Sequence, residues 1–212
     1  MTVLPKIKFI LFICNAFSSL TIAAQTKIKP TALDKEKLPK EIMYERHTGI
    51  IKNAVQWSDK NGVNMVLTTE TGEYQSEDAG GGAELYAYHY IVNNGSAELT
   101  WKVSDFIKDC QVDIEARFIK NTFQVTDLNK NGICETWLMY VTVCHGDVSP
   151  LDMKIIMYEG TQKFAMRGQN KIKYSPTEYM GGEYKFDKAF TEGPAVFRDF
   201  AKKMWGKHIM GK

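Results

Sequence analysis

The sequence has no surplus of either charge: 27 Lys and Arg stand against 25 Asp and Glu in 212 residues. A nucleic-acid groove, which needs a basic excess gathered on one surface, is therefore not expected. No apolar run reaches the roughly 20 residues of a membrane span, and the composition is neither that of a collagen nor that of a disordered chain. Catalytic signatures are missing as well. There is no His-Glu-x-x-His, Gly-x-Ser-x-Gly, phosphate loop or Cys-x-x-Cys, and His47, His89, His145 and His208 share no metal-ligand spacing. What is present, 44% hydrophobic and 12% aromatic residues, suffices for one ordinary globular domain with a buried core.

Residues 1–24 read as a signal peptide. Lys6 and Lys8 precede an apolar run from Phe9 to Phe17, and Ala23 and Ala24 stand before Gln25. Asn15, Ser18 and Ser19 interrupt the run, so a retained anchor is the weaker alternative. Cys14 follows the bulky Ile13, where a lipobox wants a small residue, so a lipid anchor is disfavoured. Loss of Lys6 and Lys8 would bring the 27 basic residues to 25, equal to the acids. The expected location is the periplasm or the cell surface, with no transmembrane span after cleavage.

Export leaves Cys110, Cys134 and Cys144, an odd set in a disulfide-permissive compartment. Cys134 and Cys144 flank an expected strand, Glu135 to Val143, of about 30 Å at ~3.3 Å per residue, and a disulfide holds its α-carbons within about 7 Å. They cannot bridge each other. Cys110 is then left to pair with one of them. Cys144 is preferred because it ties the strand end to the earlier segment, leaving Cys134 unpaired on a loop; three buried, reduced cysteines are the alternative.

Residues 25–43 are charged, carry Pro30 and Pro39 and show no apolar period, so they read as a linker arm. From residue 44 to 212 the chain reads as one β-rich domain. Leu85, Ala87, His89 and Ile91 alternate with Tyr86, Tyr88, Tyr90 and Val92, a period of two. Asp59-Lys60-Asn61-Gly62, Asn93-Asn94-Gly95 and Asn131-Gly132 supply the positive backbone angles of tight hairpins. The order strand, Asn-Gly turn, strand, long loop, strand, turn, strand occurs twice. The expected fold is mainly β (α+β): two repeated antiparallel meanders packed as a sandwich or one twisted sheet. At residues 194–209, Phe197, Phe200, Ala201, Met204 and His208 fall at helical spacing, which predicts one C-terminal amphipathic helix. Its basic face would suit a membrane surface, but an apolar stripe of this kind more often covers a sheet.

Three segments are candidates for chemistry. Asp127-Leu128-Asn129-Lys130-Asn131-Gly132-Ile133-Cys134-Glu135 puts oxygen side chains at places one, three, five and nine and glycine at six, with the Ile133 carbonyl as a further ligand. Such spacing wraps oxygens around a hard cation such as Ca²⁺. Leu138 at place twelve and strand-like flanks exclude an EF-hand. The loop resembles the calcium loop of FG-GAP β-propeller repeats, with Asn131 in place of the usual acid; a plain hairpin turn is the alternative. Tyr86, Tyr88 and Tyr90 on one strand face could form a glycan platform, helped by Trp57 or Trp101, unless that face is covered. Cys144-His145-Gly146-Asp147 gathers thiol, imidazole and carboxylate, but neighbouring strand residues face opposite sides and a disulfide would remove the nucleophile.

The stretch TDLNKNGICETWLMYVTVCHGDVSP, followed by MKIIMYEG and FAMRG, resembles a family of exported bacterial surface polysaccharide biosynthesis proteins over residues 105–168. The resemblance implies a cell-envelope role and assigns chemistry to no residue. It leads to the expectation of non-catalytic binding to a polysaccharide or a cell-envelope protein. A polysaccharide-acting enzyme with Asp113, Glu115 or Asp147 as acid and base is the competing class, and a structural scaffold is the third.

Overall fold

The computed structural model describes residues 26–42, 44, 48–75 and 80–211. The expected signal peptide and His47 lie outside them. The strands β1 (Thr26–Ile28) and β2 (Thr31–Ala32) come first. They are followed by β3 (Ile50–Asp59), β4 (Gly62–Gln75), β5 (Gly81–Asn93) and β6 (Ser96–Cys110). These give one antiparallel sheet in the order β2-β3-β4-β5-β6. The second half contributes β7 (Ile114–Phe118), β8 (Gln124–Asp127), β9 (Glu135–Cys144), β10 (Asp152–Glu159) and β11 (Gln162–Gln169). A short ribbon follows, β12 (Lys171–Lys173) with β13 (Tyr179–Gly181), and then β14 (Tyr184–Phe186), α1 (Lys188–Glu192) and α2 (Ala195–Lys207). The second sheet runs β1-β8-β9-β10-β11-β14, with β7 also on β9. One side of β9 serves two partners: β8 pairs with its first residues and β7 with its last.

The two meanders are β3 to β6 and β8 to β11. Their turns form where side-chain chemistry permits positive φ. Asn94 and Gly95 both take it (50° and 78°) between β5 and β6, the pattern a type I′ hairpin requires. Between β3 and β4, the Asn61 N–H donates to Asp59 Oδ1 at 2.8 Å and closes the turn before Gly62.

The meanders pack face to face. Val66, Leu85, Ala87 and Val103 of the first sheet meet Leu138, Tyr140, Ile156 and Ala165 of the second. A row of rings crosses this layer: Trp57 lies 5.7 Å from His89, His89 stacks on Trp101 at 5.0 Å, and Trp101 on Tyr158 at 4.3 Å. Burying an aliphatic side chain such as Leu85 or Leu138 contributes roughly 1.5–3 kcal/mol through lost contact with water. On the outer face of the second sheet, Trp137, Met139, Met153 and Met157 pack against Phe197, Ala201, Met204 and Trp205 of α2. The amphipathic helix covers a sheet. Its bounds fall within two residues of the expected 194–209. The shorter α1 begins at Asp187, whose carboxylate accepts the Phe190 N–H at 2.9 Å and the Ala165 N–H at 2.9 Å.

The segment expected as a linker arm carries β1 and β2, which pair with β8 and β3, and its Leu33 N–H donates to the Ala54 carbonyl at 2.8 Å. Leu33, Leu38, Ile42 and Tyr44 pack on the outer face of the first sheet. An extended cover needs only isolated apolar anchors. That is why no period marks it in the sequence. Cys110 and Cys144 form a disulfide joining the ends of β6 and β9, with α-carbons 5.8 Å apart. Cys134 is free and buried.

Candidate functional site

The loop from Asp127 to Glu135 joins β8 to β9, so the ladder fixes both ends. Its side-chain oxygens fold back on its own amides. Asp127 Oδ2 accepts the Gly132 N–H at 3.1 Å, Asn129 Oδ1 the Asn131 N–H at 3.1 Å, and Asn131 Oδ1 the Ile133 N–H at 2.7 Å. The side-chain amides of Asn129 and Asn131 both donate to Glu159 Oε1, at 2.6 and 2.7 Å. Glu135 is fully buried. It accepts the Thr126 hydroxyl at 2.6 Å and the Leu128 N–H at 3.0 and 3.1 Å. Burial nevertheless pushes its carboxyl up to about 7, against those donors.

These contacts divide the five residues named from sequence. Both oxygens of Glu135 face protein donors, so Glu135 braces the loop from within. Asp127 Oδ1 is buried with no hydrogen-bond partner among the described residues, and a cation is one group that would satisfy it. The Lys60 ammonium donates to the Asn131 carbonyl and already brings a positive charge to the loop. Among the described residues no three His, Cys, Asp or Glu side chains converge as a metal-holding group. An asparagine- and carbonyl-rich cage, if formed, would be a weak one.

The tyrosine face is not open. Tyr88 and Tyr90 are each 2% exposed, beneath Leu38, Ile42 and Tyr44 of the arm. Tyr86 is half-buried, stacked on Tyr88 at 6.2 Å, with the Lys102 ammonium 5.1 Å from its ring. The expected glycan platform is therefore corrected: two of its three rings belong to a covered layer. Trp57 and Trp101 are buried in the other layer.

Cys144 is oxidised in the disulfide, so it offers no thiolate beside His145. The His145 Nδ1 lies 3.1 Å from Asp147 Oδ1 at an exposed bend. Asp147 holds the Ser149 N–H at 2.9 Å, and that hydrogen bonding lowers its pKa. Glu115 pairs with Arg117. Among the described residues, Asp113, Glu115 and Asp147 line neither the cavity beside Phe118 nor the smaller one beside Cys110. Burial, with help from Asp59, pushes the Cys134 thiol up to about 12, so it is inert.

Residues that sequence reasoning missed line a cavity of about 500 Å³ walled by both sheets. Lys52 and Glu70 come from β3 and β4, Arg117 and Phe118 from the end of β7, Lys120 and Phe123 from the following loop. The register of β3 on β4 shifts beside Lys52, a β-bulge. Glu70 joins the sheets: it meets the Lys52 ammonium at 3.0 Å and accepts the Phe118 N–H at 2.7 Å. The loop is held by the Thr122 hydroxyl, which donates to the Ile119 carbonyl at 2.6 Å, and by Asn121 at φ 60°. The volume lies in the range of roughly 300–1,000 Å³ that suits small ligands, and the lining mixes aromatic with polar groups. No spacing signals this site, because its residues come from segments paired only by folding.

Comparison with known protein families, with characterised proteins and with solved structures finds no match.

Proposed function

We propose that this chain is an exported cell-envelope protein that supports surface polysaccharide assembly by holding a glycan or an envelope partner without catalysis. The single observation that carries this reading is the cavity between the sheets. Among the described residues its lining has one carboxylate, Glu70, already engaged by Lys52 and the Phe118 N–H. Glycoside hydrolysis uses two carboxyl groups about 5–10 Å apart, so this lining favours holding over cleavage. Export is supported by the leader pattern and by the Cys110–Cys144 disulfide, a bond that persists in oxidising compartments. Among the described residues no helix is long and apolar enough to cross a membrane. The polysaccharide role rests on the resemblance over residues 105–168.

The test is an oligosaccharide array probed with the protein and with Phe123→Ala. The expected result is retention of a defined glycan set that the variant loses. Equal signals from both would remove the cavity from the account.

Ca²⁺ at the loop belongs to the same reading as a stiffening ion, held by Asp127 Oδ1 with oxygens of Asn129, Asn131 and Ile133 and with Glu135 closing the loop behind them. Thermal melting with calcium and with chelator checks it. A midpoint that calcium does not move, with Asp127→Ala equally insensitive to it, would dismiss the ion.

A further inference from the structure

Among the described residues, Lys52, Arg117 and Lys120 line the cavity together with one acid, Glu70. Lys52 and Glu70 cancel each other at 3.0 Å. Arg117 gives its Nε to Glu115 and its Nη2 to the Gly211 carbonyl at 2.8 Å. A guanidinium carries five N–H donors, so three remain. Lys120 is exposed on the loop beyond Phe118. With Lys52 paired to Glu70 and Arg117 to Glu115, Lys120 carries the positive charge left over, beside the guanidinium donors of Arg117 that neither partner uses. In the same lining, Phe118 is 9% exposed and Phe123 half-buried, so each presents part of an aromatic surface. Phe118 packs edge-on to Tyr140 at 5.9 Å, which holds its ring in place.

A ligand that satisfies both halves needs an apolar face of ring size and an anionic group beside it. We infer that the cavity between the sheets takes an acidic saccharide, a sugar unit bearing a carboxylate, with its C–H face on Phe118 and Phe123 and its carboxylate toward Arg117 and Lys120. A neutral sugar would leave the Lys120 charge unanswered. A bare anion would leave the aromatic lining unused. This inference rests on the reading of the cavity as the binding site and specifies what it selects.

The experiment is calorimetric titration of the folded protein with trigalacturonate, with a neutral galactose trimer and with inorganic phosphate, in low and moderate salt. The expected result is tightest binding of trigalacturonate, weakened between about 0.02 M and about 0.3 M sodium chloride, where screening shortens steeply. Lys120→Ala, a surface change, should weaken it by about three- to fivefold, the scale of one exposed ion pair, and Lys120→Arg should restore it. Equal affinity for the neutral trimer would overturn the acidic selectivity and leave the binding site standing. Phosphate binding as tightly as trigalacturonate would overturn the saccharide. Binding of none of the three, with Phe123→Ala indistinguishable from the parent on the array, would overturn this inference and the proposed function together.

Discussion

The Lys60 N–H donates to the Gly132 carbonyl at 2.9 Å, so the Asn-Gly turn of the first meander is hydrogen-bonded to the Asn-Gly turn of the second. Equivalent corners of the two repeats touch. Asp59 reinforces the contact by accepting the Cys134 N–H at 3.0 Å while holding its own turn through Asn61.

Asp59→Ala removes both hydrogen bonds and leaves the Cys134 N–H without its partner. The expected cost is roughly 1–3 kcal/mol, and Asp59→Asn, which keeps one acceptor oxygen, should cost less. Urea midpoints of the three proteins decide it. Three equal midpoints would show that the corners merely lie side by side.

Burial holds the His89 imidazole down at about 4, although Asp59 pulls the other way. Its Nε2 faces Asn64 Oδ1 at 3.0 Å and its Nδ1 the Thr100 hydroxyl. The unfolded imidazole titrates near 6.5. The folded pKa lies below the unfolded one, so this contribution to stability is complete above about 6.5 and is lost as pH falls toward 4, roughly 3 kcal/mol in all. Glu135 works in the opposite sense. Its raised pKa makes its contribution complete below about 4.5 and lost as pH rises through 7. Imidazole proton resonances followed by NMR should show His89 neutral down to about 4. A midpoint near 6.5 would mean that the ring is hydrated.

The Cys110–Cys144 bond closes a loop with a sequence separation of 34. Chain-entropy arguments assign such a loop about 4 kcal/mol. The double variant Cys110→Ser with Cys144→Ser should unfold at lower urea by a corresponding amount, with no new disulfide through Cys134. Thiol counting under denaturing conditions should find one free thiol in the mature parent protein; three would refute the pairing.

The Tyr88 hydroxyl is buried with no hydrogen-bond partner among the described residues. An unanswered hydroxyl in an apolar layer costs about 1–3 kcal/mol. Tyr88→Phe should therefore leave stability unchanged or raise it, whereas Tyr88→Ala should lower it by roughly 3–5 kcal/mol through the cavity left beneath the arm. A large loss on Tyr88→Phe would reveal a partner for the hydroxyl.

The alternation from Leu85 to Val92 announced a strand with two distinct faces, and the Asn-Gly pairs announced where the chain reverses. Both are local properties, set by the pleat and by backbone sterics, so they are legible in one sequence. Strand geometry likewise excluded a Cys134–Cys144 bridge, but the structure chose Cys144 as the partner of Cys110. The face on which Tyr88 and Tyr90 lie was equally clear, but not what covers it. That cover is an arm whose few apolar anchors, Leu33, Leu38 and Ile42, follow no period.

The strands of the two meanders, their turns and a helix within residues 194–209 were legible in the chain alone, because each depends on neighbours along it, whereas the strands β1 and β2 and the pairing of Cys110 with Cys144 over the alternatives were not. Tertiary contacts settle that Tyr88 and Tyr90 are covered, that Glu135 braces the loop, and that Lys52, Glu70, Arg117 and Lys120 share one cavity. Those facts depend on which surfaces meet when two sheets close on each other. Contacts between residues far apart in the chain leave no periodic trace in either segment.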